Sequence, residues 1–416
     1  MPSRSPKDSP ALADRLRDLL GSERVTESSP REMEASPGMS GGRETKTHFA
    51  IHEVECPLEV RPGSLEQLSA TLAFSHSEEL GVCVSAGGSK LAWGNRPDRF
   101  DLLVRTDEAA TQCTVDAEDL TLTTDAGVTL AEARAQARAM NRLLPLDSGN
   151  PAQATVGGIT ATGDQGPRGA EYGRVRDLIL GLKATLADGT SVAFGGRTMK
   201  NVAGYDMTRL FSGSFGALGV ITEIVFRLLP LPDAQGLAIH PLSSLAQGEE
   251  IAAKLLDSRL QPLTLEIASP ELAASLATTL SARCSMDPDR PLLLAAFAGH
   301  SAAVERSLGD VYRWLGAPAK TTLADAEAEA FLDELADFSA ATSAKLPGTD
   351  DAGRDRHCLA ARAFVPINQV WSLARRPSPS PGQPTSRLRS ASALPRGPLT
   401  CGPASRQPPD RAQSRS

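Results

Sequence analysis

The stretch on which the reading turns is Ser148-Gly-Asn-Pro-Ala-Gln-Ala-Thr-Val-Gly-Gly-Ile-Thr-Ala-Thr-Gly163, sixteen residues with four glycines, three threonines and no charge. That composition suits backbone packed closely along a flat or extended ligand, with hydroxyl and N–H groups supplying hydrogen bonds. A long irregular loop is the competing reading, although connections longer than about 12–15 residues commonly carry a function. Arg168, Tyr172, Gly173, Arg176 and Asp177 follow it. Upstream, Ser85-Ala-Gly-Gly-Ser-Lys-Leu-Ala-Trp-Gly-Asn95 runs directly out of a strand expected at Gly81–Ser85. Adjacent glycines let consecutive backbone N–H groups converge on an anion and let a diphosphate approach closely, while Ser89 and Lys90 add a hydroxyl and a positive charge. The loop is neither G-x-x-x-x-G-K-[ST] nor G-x-G-x-x-G, which excludes Walker and Rossmann phosphate loops and leaves an ordinary glycine turn as the alternative. Downstream, Gly195-Gly-Arg-Thr-Met-Lys-Asn-Val-Ala-Gly-Tyr-Asp-Met-Thr-Arg-Leu210 leads into Gly213-Ser214, Gly216 and Leu218-Gly-Val-Ile-Thr-Glu223. A short helix is expected through Asp206–Phe211, and Gly216 and Gly219 would admit a planar or bulky group, or simply a tightly packed core.

Around these motifs short elements alternate. Ser64-Leu-Glu-Gln67 has capping-box spacing and opens a helix to about Leu80; Thr129-Leu-Ala-Glu132 opens a second to about Asn141. Strands are expected at Phe100–Thr106, Thr121–Val128 and Val220–Leu228, and Leu178–Ala187 with Ser191–Phe194 flank the hairpin signal Asp188-Gly189. Many short strands without a regular βαβ series predict an α+β fold. Pro230-Leu-Pro232 marks a boundary, beyond which Ala234–Leu373 is rich in Ala and Leu and mixes helix with strand.

The ends differ from the middle. Residues 1–46, rich in Ser, Pro, Arg and Glu, are expected to be mostly disordered apart from an amphipathic stretch at Ala11–Leu20. The tail from about residue 374, in which Arg376–Ser416 has no Lys, no aromatic residue and a single acid, Asp410, is expected to be disordered too. Arg without Lys also fits an out-of-frame reading of a GC-rich gene. A net charge of −7 over 416 residues carries no basic footprint for nucleic acid or an anionic membrane. No apolar run approaches the roughly 20 residues of a membrane span. The N-terminus lacks the apolar core of a secretory signal, and cysteines at 56, 83, 113, 284, 358 and 401 form no C-x-x-C. These features predict a reduced, cytoplasmic chain without a structural metal or cluster.

The order and spacing of the three motifs, over approximately residues 47–232, resemble the FAD-binding domain of the vanillyl-alcohol oxidase, or p-cresol methylhydroxylase (PCMH)-type, flavoproteins. Within that group, Gly195–Leu210 is similar to the FAD-binding subunit of bacterial glycolate oxidases. The resemblance implies a two-subdomain α+β domain at 47–232, a cap at 233–373 and non-covalent FAD. It implies that Gly87, Gly88, Ser89 and Lys90 wrap the pyrophosphate, and that Thr155, Val156, Gly157, Gly158, Thr162 and Gly163 line it and the approach to the isoalloxazine. Val220 and Ile221 would hold the adenosine end through backbone groups. Lys200, Gly204, Tyr205 and Asp206 match the motif, structural first and cofactor-proximal second.

Departures accompany the match. Covalently linked relatives carry a histidine where this chain has Ser89, and His48, His52, His76, His240, His300 and His357 all lie outside the motifs. Hydroxy-acid dehydrogenase relatives carry a His- and Asp-bearing cap motif with no counterpart here, so no catalytic base is assigned. The cap also lacks its Pro-Gly-containing closing segment and is expected to be incomplete. The implied role is the FAD-binding subunit of a complex oxidising glycolate, a small 2-hydroxy acid, to glyoxylate. Its partners would be a catalytic sister flavoprotein and an iron–sulfur subunit, with peripheral membrane association through the complex. The alternatives are a self-sufficient FAD-dependent alcohol or hydroxy-acid oxidoreductase, and a flavin-free scaffold.

Overall fold

Hydrophobic alternation and helix caps build three layered units in the computed structural model, which describes residues 9–28, 50–51, 54–91, 93, 97, 99–109, 111–198, 204–268, 290–316, 321–344 and 390–392. The first unit is a four-stranded sheet in the order β1 (Val25–Glu27), β4 (Leu58–Val60), β6 (Leu102–Arg105), β5 (Val82–Ser85). β4, β6 and β5 run parallel, and β1 adds antiparallel to β4. Parallel neighbours need a crossover, and α2 (Leu65–Ser77) supplies the one from β4. Its N-cap Ser64 accepts from the N–H of Gln67, whose side chain reaches back to Gly63 N rather than to the cap itself.

The N-terminal segment holds more structure at residues 9–28 than the amphipathic stretch expected there, and residues 1–8 and 29–46 lie outside the described residues. Within the first 46 residues, α1 (Ser9–Leu20) and β1 are integral to this unit. Leu12, Leu16 and Leu20 recur every fourth residue and so share one helix face; with Val25 they join the core formed by Leu58, Val60, Leu68, Leu102 and Val104. The amphipathic stretch noted at Ala11–Leu20 thus finds a sheet to bury its apolar stripe.

The second unit is a five-stranded antiparallel sheet in the order β11 (Ser191–Gly195), β10 (Ile179–Thr185), β12 (Val220–Arg227), β8 (Thr121–Asp125), β7 (Cys113–Asp116). Asp188-Gly189 closes the β10–β11 hairpin, with Gly189 at φ 85°. α3 (Leu130–Ala139) starts from the complete capping box of Thr129 and Glu132. With α4 (Val156–Thr162), α6 (Val175–Leu178) and α7 (Met207–Phe211), α3 covers a core centred on Leu122, Ile159, Leu178, Ile224 and Phe226. The short α5 (Gly169–Tyr172) lies between α4 and α6 in the chain.

The third unit is a five-stranded antiparallel sheet in the order β17 (Thr321–Ala324), β14 (Ala234–Pro241), β16 (Leu292–Gly299), β15 (Thr264–Ala268), β18 (Ser390–Ser392). α8 (Leu245–Asp257) and α9 (Ser301–Leu315) pack on one face through Ile251, Leu255, Val304 and Val311. α10 (Asp325–Ala344) packs on the other through Ala328, Phe331, Leu332 and Leu335, beside Tyr172 of the second unit. Two ribbons complete the description: β2 (Ala50–Ile51) with β3 (Val54–Glu55), and β9 (Arg142–Leu143) with β13 (Leu229–Pro230). β18 differs from the expectation of a structureless tail. Backbone pairing along β15 places no demand on side-chain size, so small Ser-Ala-Ser residues serve as an edge strand. The remainder of that tail, and residues 345–389, lie outside the described residues.

Candidate cofactor site

The three motifs, distant in sequence, converge where the first two units meet. β5 ends at Ser85, and the chain turns through Gly88 at φ 71°, a left-handed conformation that favours glycine. A side chain on Gly87 would collide with the carbonyl oxygen of Gln153, and the Gln153 amide donates to the Gly87 carbonyl at 2.7 Å. Among the described residues no acceptor is paired with the backbone N–H groups of Gly87, Gly88, Ser89 or Lys90. N–H groups left open on a glycine turn after a parallel strand are suited to cradling an anion. Ser89 is exposed at its rim.

Lys90 behaves differently from the expectation of a freely offered cation. Its ammonium lies 3.1 Å from the Asp164 carboxylate and donates to the Ser148 hydroxyl at 3.0 Å, while Ser148 donates to Asp164 at 2.6 Å. The side chains of Lys90 and Asp164 are 7% and 5% exposed, so the charge of Lys90 is balanced inside the fold. A diphosphate here would rest chiefly on backbone N–H groups, with Lys90 shaping the loop from behind. Neither the Ser148 nor the Asp164 contact was legible beforehand, since nothing in the spacing pairs residue 90 with residues 148 and 164.

The Gly/Thr stretch is not the long irregular loop of the competing reading: its second half is helical. Thr155 caps α4 by accepting from Gly158 N at 3.2 Å, Thr162 Oγ1 donates back to Gly158 O at 2.8 Å, and Gly163 ends the helix at φ 65°. Val156 is fully buried. Gly157 serves packing: its N–H donates to Ala126 O at 3.0 Å, and a Cβ would stand 2.8 Å from that same oxygen. Val156, Gly157 and Gly158 thus commit their N–H groups to Val128 O, Ala126 O and the Thr155 hydroxyl, which leaves the exposed Gly163 corner as the part of this set able to meet a ligand.

The third motif closes on the end of α4. Gly213 N donates to Thr160 O at 3.0 Å and Phe215 N to Ala161 O at 2.8 Å. Asp206 caps α7, accepting from Thr208 Oγ1 at 2.6 Å and Arg209 N at 3.2 Å; the Thr208 hydroxyl holds its carboxyl below the usual range. Its role is structural, as expected, and Tyr205 beside it is 95% exposed. Lys200 lies outside the described residues. Gly219 serves sheet packing, because a Cβ there would stand 2.8 Å from Thr185 O. Val220 and Ile221 pair with Thr185 and Ala184 on β10, yet the two side chains enter different cores, Val220 the first unit's and Ile221 the second's. The start of β12 therefore lies along the seam between the two sheets.

The turn fits an extended diphosphate-bearing cofactor on two observations: four N–H groups on a glycine turn, and buried hydroxyls of Thr160 and Ser214 beside the Gly213 corner, all without a partner among the described residues. Sequence reasoning missed a second polar cluster. Asp147, fully buried, accepts from Arg168 N at 2.6 Å and Arg168 Nη1 at 2.7 Å, and Arg168 Nη1 also meets Asp333 of α10 at 2.7 Å. Burial alone would lower the Arg168 pKa, but the two carboxylates raise it above its ordinary value. Nearby Tyr172 has its phenol pushed up to about 12 by burial. Among the described residues no group of three His, Cys, Asp or Glu side chains could hold a metal ion, and no helix is long and apolar enough to cross a membrane.

Comparison with known proteins agrees with this geometry. Residues 57–195 match the FAD binding domain family, so the chain carries an FAD-binding domain spanning the glycine loop and the Gly/Thr stretch. The Bacillus subtilis glycolate oxidase subunit GlcD is 28% identical over 207 residues, 50% of this chain and 44% of that protein. The Archaeoglobus fulgidus D-lactate dehydrogenase is 35% identical over 52% of this chain and 50% of its own length. The Escherichia coli glycolate oxidase subunit GlcE is 38% identical over 36% of this chain and 42% of its length. The chain thus spans about half the length of the curated relatives it matches, or somewhat less. Among solved structures, 4-ethylphenol oxidase from Gulosibacter chungangensis superposes with a TM-score of 0.58 at 14% identity, covering 81% of this chain and 70% of that one. An alkyldihydroxyacetonephosphate synthase gives 0.59 at 19% identity, covering 77% and 64%. These likenesses establish the PCMH-type α+β fold.

Proposed function

We propose that the protein is an FAD-dependent oxidoreductase of the 2-hydroxy-acid type, acting as the FAD-binding subunit of a complex that oxidises glycolate to glyoxylate. The observation that carries the reading is the convergence of Gly87–Lys90, Thr155–Gly163 and the Gly213 corner at one seam, in a chain whose relatives include two glycolate oxidase subunits and a D-lactate dehydrogenase. Bound FAD supplies a two-electron acceptor for the substrate's C–H bond. Around it the chain's own residues hold and orient: Gly87–Lys90 present N–H groups to the diphosphate, the exposed Gly163 corner at the end of α4 borders the ligand, and Val220 and Ile221 border the adenosine end. Ser89 stands where a covalent link would form and offers no nucleophile suited to one, so the cofactor is held non-covalently.

The side chains of the described residues support a reading in which catalysis depends on a sister flavoprotein. His300, at the N-cap position before α9, makes no side-chain capping bond and lies exposed, and among the described residues no histidine bonds to the glycine loop. An iron–sulfur subunit would collect the electrons, since this sequence has no C-x-x-C. The test is co-purification from the native host, with identification of bound flavin and of partner chains, followed by glycolate turnover with and without those partners. Flavin-bearing protein that turns over glycolate only in the complex supports the reading. Full turnover by the isolated chain would establish a self-sufficient enzyme, and colourless protein at full occupancy of the fold would establish a scaffold.

A further inference from the structure

The loop between α4 and α5 touches both the glycine turn and the cap helix within five residues, Asp164–Arg168. At its first residue, Asp164 holds Lys90 at 3.1 Å. In its middle, Gly166 is pressed between two elements: a Cβ there would stand 2.6 Å from Asp147 Cγ and 2.9 Å from Ala336 Cβ of α10. At its last residue, Arg168 donates to Asp333 at 2.7 Å and to the Glu329 carbonyl at 3.0 Å, both on α10. Asp147 and Ser148, neighbours in the chain and both fully buried, clamp this bridge from one side. Asp147 binds Gly166 N through its carbonyl at 2.7 Å and the Arg168 end through its carboxylate, while Ser148 binds the Asp164 end.

We propose that this bridge couples docking of α10 to the shape of the glycine loop, making Asp333 a positioning residue for FAD that it does not touch. Buried charge pairs with full hydrogen bonding have one good arrangement, so loosening Arg168 from α10 shifts Asp147, and with it Ser148 and the Asp164–Lys90 pair. By linkage, FAD binding at the loop must in return tighten the cap helix. The inference rests on the glycine loop being where FAD binds.

The experiment measures FAD affinity of the full-length apo chain by flavin fluorescence, together with hydrogen exchange of α10 with and without FAD. Asp333→Asn should weaken FAD roughly fivefold or more, within the usual range of site-to-site coupling. Ser148→Ala should weaken it too, and in that background Asp333→Asn should add less than roughly twofold, because the link is already cut. FAD should slow exchange in α10 of the native chain and lose that effect in Ser148→Ala. Glu329→Gln, which breaks only the outer contact to Arg138, serves as a comparator and should leave affinity within roughly twofold. Should Asp333→Asn not fold, Asp333→Glu keeps the charge and must shift affinity in the same direction by less. Unchanged affinity in Asp333→Asn, or strictly additive effects with Ser148→Ala, overturns the coupling while leaving FAD binding intact. A native chain that takes up no FAD, or Gly88 variants that bind it normally, overturns the assignment of the loop itself, and the coupling with it.

Discussion

Replacing Gly88 by valine separates the shape of the loop from the stability of the fold. A Cβ at Gly88 would meet only Leu91 Cδ1 and Ser85 Oγ, both at 3.7 Å, which is ordinary van der Waals contact. The obstacle is conformational, since φ is 71° and a β-branched residue strongly resists the left-handed region. Holding a non-glycine residue there costs about 1–3 kcal/mol. The loop is exposed at Ser89, so it relieves that strain by leaving the cradle geometry rather than by unfolding β5. A loss of about 2 kcal/mol of binding free energy corresponds to roughly 30-fold weaker FAD. Gly88→Ala should fall between the native protein and Gly88→Val. Flavin titration into apo protein reads the affinity, and thermal unfolding of the apo chain reads the fold. The reasoning is refuted if Gly88→Val retains native affinity, or if its apo midpoint falls as far as that of a core deletion.

Acid precipitation should leave all flavin colour in the supernatant, because Ser89 offers no covalent link; colour in the pellet would contradict this. Leu16→Ala should destabilise the chain by about 2–5 kcal/mol in urea unfolding, since Leu16 is fully buried in the first unit's core. A neutral result would show that α1 does not pack as described. Arg168→Met leaves Asp147 buried without its main partner and should cost about 3–5 kcal/mol, read as a lowered unfolding midpoint. Tyr172 has a folded pKa near 12 against an ordinary 10.0, so its contribution is present in full below pH 10 and fades as pH rises through 12. Tyr172→Phe should flatten that alkaline loss, and phenolate absorbance should show one fewer tyrosine titrating late.

Much of the local structure was written in neighbouring residues. Ser64 and Thr129 start helices because their hydroxyls meet N–H groups three residues on, and Asp188-Gly189 turns a hairpin because glycine takes φ 85° there. The glycine loop and the Gly213 corner were visible for the same reason: each depends on a conformation or a close approach that only particular residues allow. The order of those motifs along the chain carried the family resemblance as well. Hidden from the sequence were the partners of buried charge. Lys90 read as an added positive charge at the loop, yet residues 58 and 74 positions away, Ser148 and Asp164, hold it; Arg168 was noted without a role, yet it joins Asp147 to Asp333 on α10, 165 positions on. That the Gly/Thr stretch holds a helix was not legible, because glycine and threonine are weak helix formers. It became α4 once Gly157 could press against Ala126 and Ile159 could enter a core that supplied what propensity lacked. Leu12, Leu16 and Leu20 likewise remain a marginal stripe until a sheet lies beneath them. Capping, turning and chirality act over a few residues and are read directly; burial and charge pairing act through space, and only the assembled units decide which groups leave water together.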